Sequence, residues 1–382
     1  MTLNSQSQPI RLGFVGLSSK GWPATMLAPP LFKAPLISKY TLVAVCTTNL
    51  ESAKASAAKY SQLISSASGS AVSVKAYHGS AEDIAQDQDV RMVAVAVRPM
   101  FQKEAALKAI EAGRDLFIEW PVGTDLSETK EIYEAARKKQ VNTIVGCQMR
   151  FAGFAMKLKS MMTAGKLGKI YSSNIIVSFN RGWGPIIFDF FKHSSSAANG
   201  ATLLDAAGGH IFDLILHILG PVASVSAEVM NHHPTATVID SSTGKLTGET
   251  VSQDGPTQVC VNGRLHIGSQ TTQQAPYIVH LQSGVKDAEF TWVISGENGT
   301  VRVQADSKLG FFDPSPEMYW NGEKVALAEL DKIALNWEAF ADGRKGSYAT
   351  VEDAMKTKEI LHAAVKSAKE GRRVDLLLSP RD

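Results

Sequence analysis

A chain of 382 residues, 44% hydrophobic and 20% charged, is long enough for two domains with cores of their own and has an ordinary globular balance. With 39 basic against 37 acidic side chains, its formal charge of +2 argues against the concentrated basic face that a phosphate-backbone binder needs, so no direct nucleic-acid partner is expected. The three cysteines, Cys46, Cys147 and Cys260, are too far apart for a disulfide framework or a zinc site.

Cys46 and Cys147 lie in apolar runs and read as small buried hydrophobes. The polar start, residues 1–8, lacks a signal-peptide pattern, and no apolar run approaches the roughly 18 residues that span a bilayer. A cytoplasmic protein without a membrane partner is expected.

Through residue 148, short apolar runs alternate with helical patterns. Residues 10–15, 42–46, 91–97, 115–118 and 142–147 predict strands, and the unalternating run RMVAVAV at 91–97 predicts one buried on both faces. Helical patterns at 50–60, 102–112 and 125–139 lie between them. The second stops at Gly113, and the third opens on Asp125-Leu126-Ser127-Glu128, a capping start. Residues 63–72, rich in Ser, Ala and Gly, predict a surface excursion. The alternation predicts an α/β Rossmann domain over 1–148, with a parallel sheet and right-handed crossovers.

After 148 the pattern changes. Residues 155–164 predict a helix, 170–179 a strand, 181–209 a loop-rich aromatic stretch and 210–219 a helix ended by Gly220-Pro221. From 222 to about 325, runs of period two are separated by Gly, Asn, Ser and Pro. Residues 351–369 predict a closing amphipathic helix. The expected second domain, 149–382, is therefore α+β, with a large, mostly antiparallel, open-faced sheet.

The first strand runs into Gly16-Leu17-Ser18-Ser19-Lys20-Gly21, a GxGxxG spacing with Ser18 at the middle glycine. The first glycine makes the tight turn, the second position brings backbone to a pyrophosphate, and the third lets a helix pack on the strand. N–H groups at the helix start then face the phosphates. Trp22 follows directly. Where the second strand ends, a carboxylate would bond a ribose 2′-hydroxyl, but Thr47-Thr48-Asn49 stands there. A carboxylate about 4 Å from a 2′-phosphate would cost roughly 4 kcal/mol at an effective dielectric of 20, so its absence favours NADP(H), with NAD possible. Between Gly21 and Thr47, Pro23, Pro29, Pro30 and Pro35 predict a crossover that is partly loop. Arg98 follows the strand at 91–97, at the carboxyl end where ligands of open α/β sheets sit.

Gly13-Phe14-Val15-Gly16-Leu17 with Lys20-Gly21-Trp22, together with Phe117-Ile118-Glu119-Trp120, Gln148-Met149-Arg150, Gly182-Trp183, Gly209-His210-Ile211-Phe212-Asp213 and Gly296-Glu297-Asn298-Gly299-Thr300, resemble the glucose-fructose oxidoreductase/inositol dehydrogenase superfamily. Within it the chain is most similar to fungal oxidoreductase-like relatives of the yeast galactose-regulon inhibitor. The resemblance implies a nicotinamide cofactor held by Glu119, Trp120 and Gln148 besides the residues above, and a homodimer formed through the open sheet face. Enzymes of the superfamily have Glu-Lys-Pro after the fourth strand, the lysine helping to move the substrate proton. Here the stretch is Glu119-Trp120-Pro121, and indole does not titrate usefully. They also carry an Asp four residues before a catalytic His. Ala206 has that place before His210, and Asp205 lies five before.

Imidazole titrates near neutral pH, so His210 is the candidate proton donor, tuned by Asp205 or Lys192. Lys192 reads either as an exposed loop lysine or as a replacement for the absent one. Trp120, Arg150, Phe154, Trp183 and Phe191 are candidate walls of a pocket for an apolar or aromatic small molecule, although Arg150 equally reads as a hinge residue. His210, Asp213 and His217 share a helix face, but a third strong ligand motif is absent and no metal is expected. Two functions stay open: an NAD(P)-dependent oxidoreductase, or a non-catalytic dinucleotide-binding regulator like the yeast inhibitor.

Overall fold

The computed structural model describes residues 8–69, 71–267, 274–305 and 316–376. Residues 1–7, within the stretch read for a leader, lie outside them. The chain divides into two units, Met1–Gln148 with Asp331–Met355, and Met149–Leu330 with Lys356–Asp382.

In the first unit six strands form one parallel sheet in the order β3-β2-β1-β4-β5-β6. They are β1 (Ile10–Val15), β2 (Tyr40–Thr47), β3 (Lys75–His78), β4 (Met92–Val95), β5 (Asp115–Ile118) and β6 (Thr143–Val145). The strand order reverses between β1 and β4, which opens a crevice at their carboxyl ends. β4 is buried at every position, as a strand covered on both faces must be. β3 is absent from the sequence reading. It is a four-residue edge strand with no buried position, so it carries no apolar signature.

The helices are α1 (Leu50–Ser68), α2 (Glu82–Gln86), α3 (Gln102–Glu111) and α4 (Leu126–Lys139). Asn49 caps α1 by accepting from the Ser52 N–H at 2.9 Å, and Gly69 ends it at φ +70°. α1 runs through most of the stretch read as a surface excursion, because Ala57, Tyr60 and Ile64 continue its buried face. The β1–β2 crossover contains no regular helix. Pro23–Leu27 forms one π turn, followed by 3₁₀ turns at Pro29–Phe32 and Leu36–Ser38.

Residues 331–355, expected in the second domain, return to the first. On α7 (Lys332–Ala341), Trp337 is wholly buried, stacked on Phe117 at 4.3 Å and edge-on to Tyr40 at 5.4 Å. Its indole donates to the Leu27 carbonyl, and Ala349 pairs with Val145 on β6.

The second unit contains α5 (Gly153–Thr163), α6 (Gly209–Ile218) and most of α8 (Val351–Glu370). Its strands are β7 (Ile170–Phe179), β8 (Ile186–Phe188), β9 (Val222–Met230), β10 (Thr235–Ile239), β11 (Leu246–Ser252), β12 (Gln258–His266), β13 (Gln274–Ser283), β14 (Glu289–Gly296), β15 (Gly299–Ala305), β16 (Glu317–Trp320), β17 (Glu323–Val325) and β18 (Val374–Asp375). Nine of them form a sheet ordered β17-β16-β15-β14-β7-β13-β12-β9-β18, antiparallel except for the parallel pair β7/β13. A small sheet, β11-β10-β8, lies apart.

Val261, Val279, Phe290, Trp292 and Val303 cover the inner face of the large sheet. Tyr171, Ile176 and Ile278 stand exposed on the other. The stretch Ala197–Ile218 is long and apolar enough in composition to cross a membrane, contrary to the sequence reading, but 78% of its most apolar window is buried in the fold as core.

Candidate functional site

The phosphate-type loop follows β1. Gly16 has φ +93°, and a Cβ there would stand 2.7 Å from the Ala96 carbonyl oxygen, so both conformation and space demand glycine. Gly21, at φ +88°, demands it for conformation alone. α1 fastens the loop from one side. Ser56 Oγ donates to the Leu17 carbonyl at 2.6 Å, Tyr60 to Ser18 at 3.4 Å, and Lys59 Nζ to Ser19 at 3.2 Å. In a trans peptide the N–H points opposite its carbonyl, so three carbonyls drawn towards α1 turn the amides of Ser18, Ser19 and Lys20 away from it, where the Ser18 N–H donates to the Gly16 carbonyl at 3.1 Å and the Lys20 N–H to the Ser18 hydroxyl at 3.3 Å. That suits a diphosphate, and these three tethers were missed in the sequence. The Ser18 hydroxyl, read as a phosphate donor, is engaged inside the loop with the Lys20 carbonyl at 2.8 Å. Since Pro23–Leu27 is a single π turn, loop amides rather than a long helix dipole would carry the anion.

At the end of β2, two of the three polar residues have local duties. Thr47 Oγ1 donates to the Asn49 carbonyl, and Asn49 caps α1. Thr48 is exposed, as is His78, which stands opposite Thr47 in the β2/β3 register. His78 is a second missed candidate for the ribose end.

Beyond β4 and β5, Arg98 is exposed and Gln102 buried. Gln102 bonds the carbonyls of Val97 and Glu119 and accepts from the Gly123 N–H, which stitches the two loops together. Glu119 accepts from Gln148 Nε2 at 3.1 and 3.3 Å and from the Trp22 indole. Desolvation nonetheless prevails over these donors and pushes its carboxyl up to about 7. Gly146 makes room for it, since a Cβ there would lie 2.6 Å from the Glu119 carboxyl carbon. Trp120 is buried beside it. Residues from β1, β5 and β6 thus line one end of the sheet.

In the second unit, one π turn, Leu204–Gly208, precedes α6. A π turn takes one residue more than an α turn, so it accommodates the extra residue between Asp205 and His210. Among residues 201–215, Asp205, Ala206 and His210 alone reach the surface. Asp205 and His210, five residues apart across this turn, are both half-buried. Asp205 Oδ2 accepts from Thr202 Oγ1 at 2.6 Å, and the buried Lys358 ammonium stands 3.8 Å from Oδ1.

Two pocket assignments, Arg150 and Phe154, and one catalytic assignment, Lys192, are corrected. Arg150 is buried and forks onto Asp213, with Nε at 2.9 and 3.1 Å and Nη2 at 2.6 Å, so its guanidinium is structural. Phe154 is 0% exposed and packs on Phe290 in the core. Lys192 does not serve the turn that bears His210, because its ammonium bonds Glu249 on β11 at 3.0 Å in an exposed pair. Trp183 is buried edge-on between Phe179 and Phe191, both at 5.1 Å, and its indole donates to the Ala201 carbonyl. Phe191 remains partly exposed beside it.

Residues 10–147 match the oxidoreductase family with an NAD-binding Rossmann fold, and residues 154–305 match the Gal80p C-terminal domain. The chain is 28% identical to dehydrogenase aclE of Aspergillus oryzae, over 96% of this chain and 98% of that protein. It is 25% identical to the galactose/lactose metabolism regulatory protein GAL80 of Saccharomyces cerevisiae, over 83% of this chain and 71% of that protein. The crystal structure of a super-repressor mutant of Gal80p from S. cerevisiae superposes with a TM-score of 0.82 at 22% identity, covering 96% of this chain and 98% of that one, which shows a shared fold.

Proposed function

We propose that this chain, whose residues 10–147 match the oxidoreductase family with an NAD-binding Rossmann fold and whose residues 154–305 match the Gal80p C-terminal domain, is an NADP(H)-dependent oxidoreductase acting on a carbonyl, imine or activated alkene of a hydrophobic small molecule. The observation that carries the reading is the π turn, which takes up the extra residue between a half-buried carboxylate, Asp205, and a half-buried imidazole, His210.

A bound nicotinamide supplies or accepts the hydride. The loop Ser18-Ser19-Lys20, with the Ser19 amide at its centre, would hold its diphosphate, Thr48 and His78 would meet the ribose end, and Arg98, Glu119 and Gln148 stand at the carboxyl ends of β4, β5 and β6. His210 delivers the proton that the reduced substrate atom requires, and Asp205 orients it. Phe191 offers partly exposed apolar surface in the second unit. The same proposal places the protein in the cytoplasm as a homodimer formed through the outer sheet face that bears Tyr171, Ile176 and Ile278.

A second reading, a dinucleotide-binding regulator, is favoured by one observation: buried Trp120 where the enzymes have lysine. The test is NADPH oxidation with a panel of hydrophobic carbonyl and imine compounds. Turnover is expected, and His210→Ala is expected to lower kcat about a hundredfold. Full activity in that variant would remove the role of His210. Absence of turnover across the panel, with a transcription factor copurifying, would favour the regulator.

A further inference from the structure

Lys358 lies among the residues that α8 buries, beside Thr357, Leu361 and Ala364, and is only 2% exposed. A lysine is almost never so deep unless paired, because taking its ammonium out of water is costly where leucine or methionine would add stability. It stands at ion-pair distance, 3.8 Å, from Asp205 Oδ1. The other carboxyl oxygen accepts from buried Thr202, through its hydroxyl at 2.6 Å and its N–H at 3.2 Å. Asp205 is thus gripped from the interior at both oxygens, while the π turn sets half-buried His210 five residues further on. Other ionisable groups around α6 are engaged elsewhere, Asp213 with Arg150, and Lys159 of α5 with the His217 carbonyl.

We propose that Lys358 is a positioning residue for the proton-transfer turn, a fixed interior cation that pins the Asp205 carboxylate so that Asp205 orients His210. The inference rests on the assignment of proton transfer to His210 and goes beyond it by naming what holds Asp205 in place. It also gives the buried ammonium a reason to persist in a helix face that methionine would fill without charge.

The experiment uses the full chain labelled with ¹⁵N-histidine, and it needs no substrate. The His210 ring resonances are compared in the wild type, Lys358→Met, Lys358→Arg, Asp205→Asn and the Lys358→Met/Asp205→Asn double variant. Lys358→Met is expected to shift them at least about two-fold more in the wild-type background than beside Asp205→Asn, since the effect passes through the carboxylate. Lys358→Arg is expected to restore the wild-type positions. Thr202→Val, which alters no charge, is expected to move the same resonances and serves if Lys358→Met does not fold. Unmoved His210 signals in Thr202→Val and in Lys358→Met, or an equal shift in both backgrounds, would overturn the proposal. NADPH binding is measured on the same samples. Its absence with the His210 coupling intact would defeat the functional reading and with it the proton-transfer role, while the hold of Lys358 on Asp205 and His210 would stand as a measured coupling.

Discussion

Replacing Arg150 by methionine is expected to lower the unfolding free energy by about 3–5 kcal/mol, because it strands the Asp213 carboxylate in the core. Both side chains are almost wholly buried, and their contact is a charge-assisted fork rather than a single bond. Removing one ion forfeits the attraction while leaving the other ion's desolvation in full. The double variant Arg150→Met/Asp213→Leu removes both charges and is expected to recover most of the loss. Chemical denaturation of the wild type, Arg150→Met, Asp213→Leu and the double variant checks this. Equal destabilisation in the single and double variants would mean that packing, not charge, is what the pair contributes. Retained NADPH binding in a folded Arg150→Met variant would fit the structural role given to this arginine.

The second large effect concerns Glu119. Its carboxyl is raised from 4.5 to about 7 by desolvation, so between those values the folded chain keeps a proton that the unfolded chain has released. Stability must then fall as pH rises through that window. The loss is absent below about pH 4.5 and complete above about pH 7. At ~1.4 kcal/mol per unit, the full difference is about 3 kcal/mol. Glu119→Gln keeps an acceptor for Gln148 and Trp22 but cannot ionise, so the stability gap between variant and wild type is expected to widen in the variant's favour from pH 5 to pH 8. Parallel stability curves for the two proteins across that range would contradict the burial of this carboxyl.

The glycine turn after β1 was legible because its backbone constrains residue type: Gly16 meets both a positive φ and a backbone neighbour, which only glycine tolerates. Its tethers were not, since Ser56, Lys59 and Tyr60 lie some 40 residues on and acquire meaning only once α1 is docked. The Asp205–His210 spacing looked defective because residue counting assumes α-helical turns, whereas the chain makes a π turn. Arg150 and Phe154 were read as pocket walls because an arginine or phenylalanine near a motif looks the same in sequence whether it faces a ligand or the core. β3 escaped for the opposite reason, since an exposed edge strand has no apolar pattern to read. α7 was assigned to the wrong unit because chain order carries no sign that Trp337 returns to pack on Phe117.

All of the chemistry depends on a dinucleotide seated on the amides after β1. Equilibrium titration of the purified chain with NADPH and with NADH, followed by protein fluorescence, tests this most directly. Saturable binding is expected, about tenfold tighter for NADPH because no carboxylate opposes a 2′-phosphate where β2 ends. Tighter binding of NADH would reverse the cofactor preference, and no saturable signal with either would contradict the account at its root.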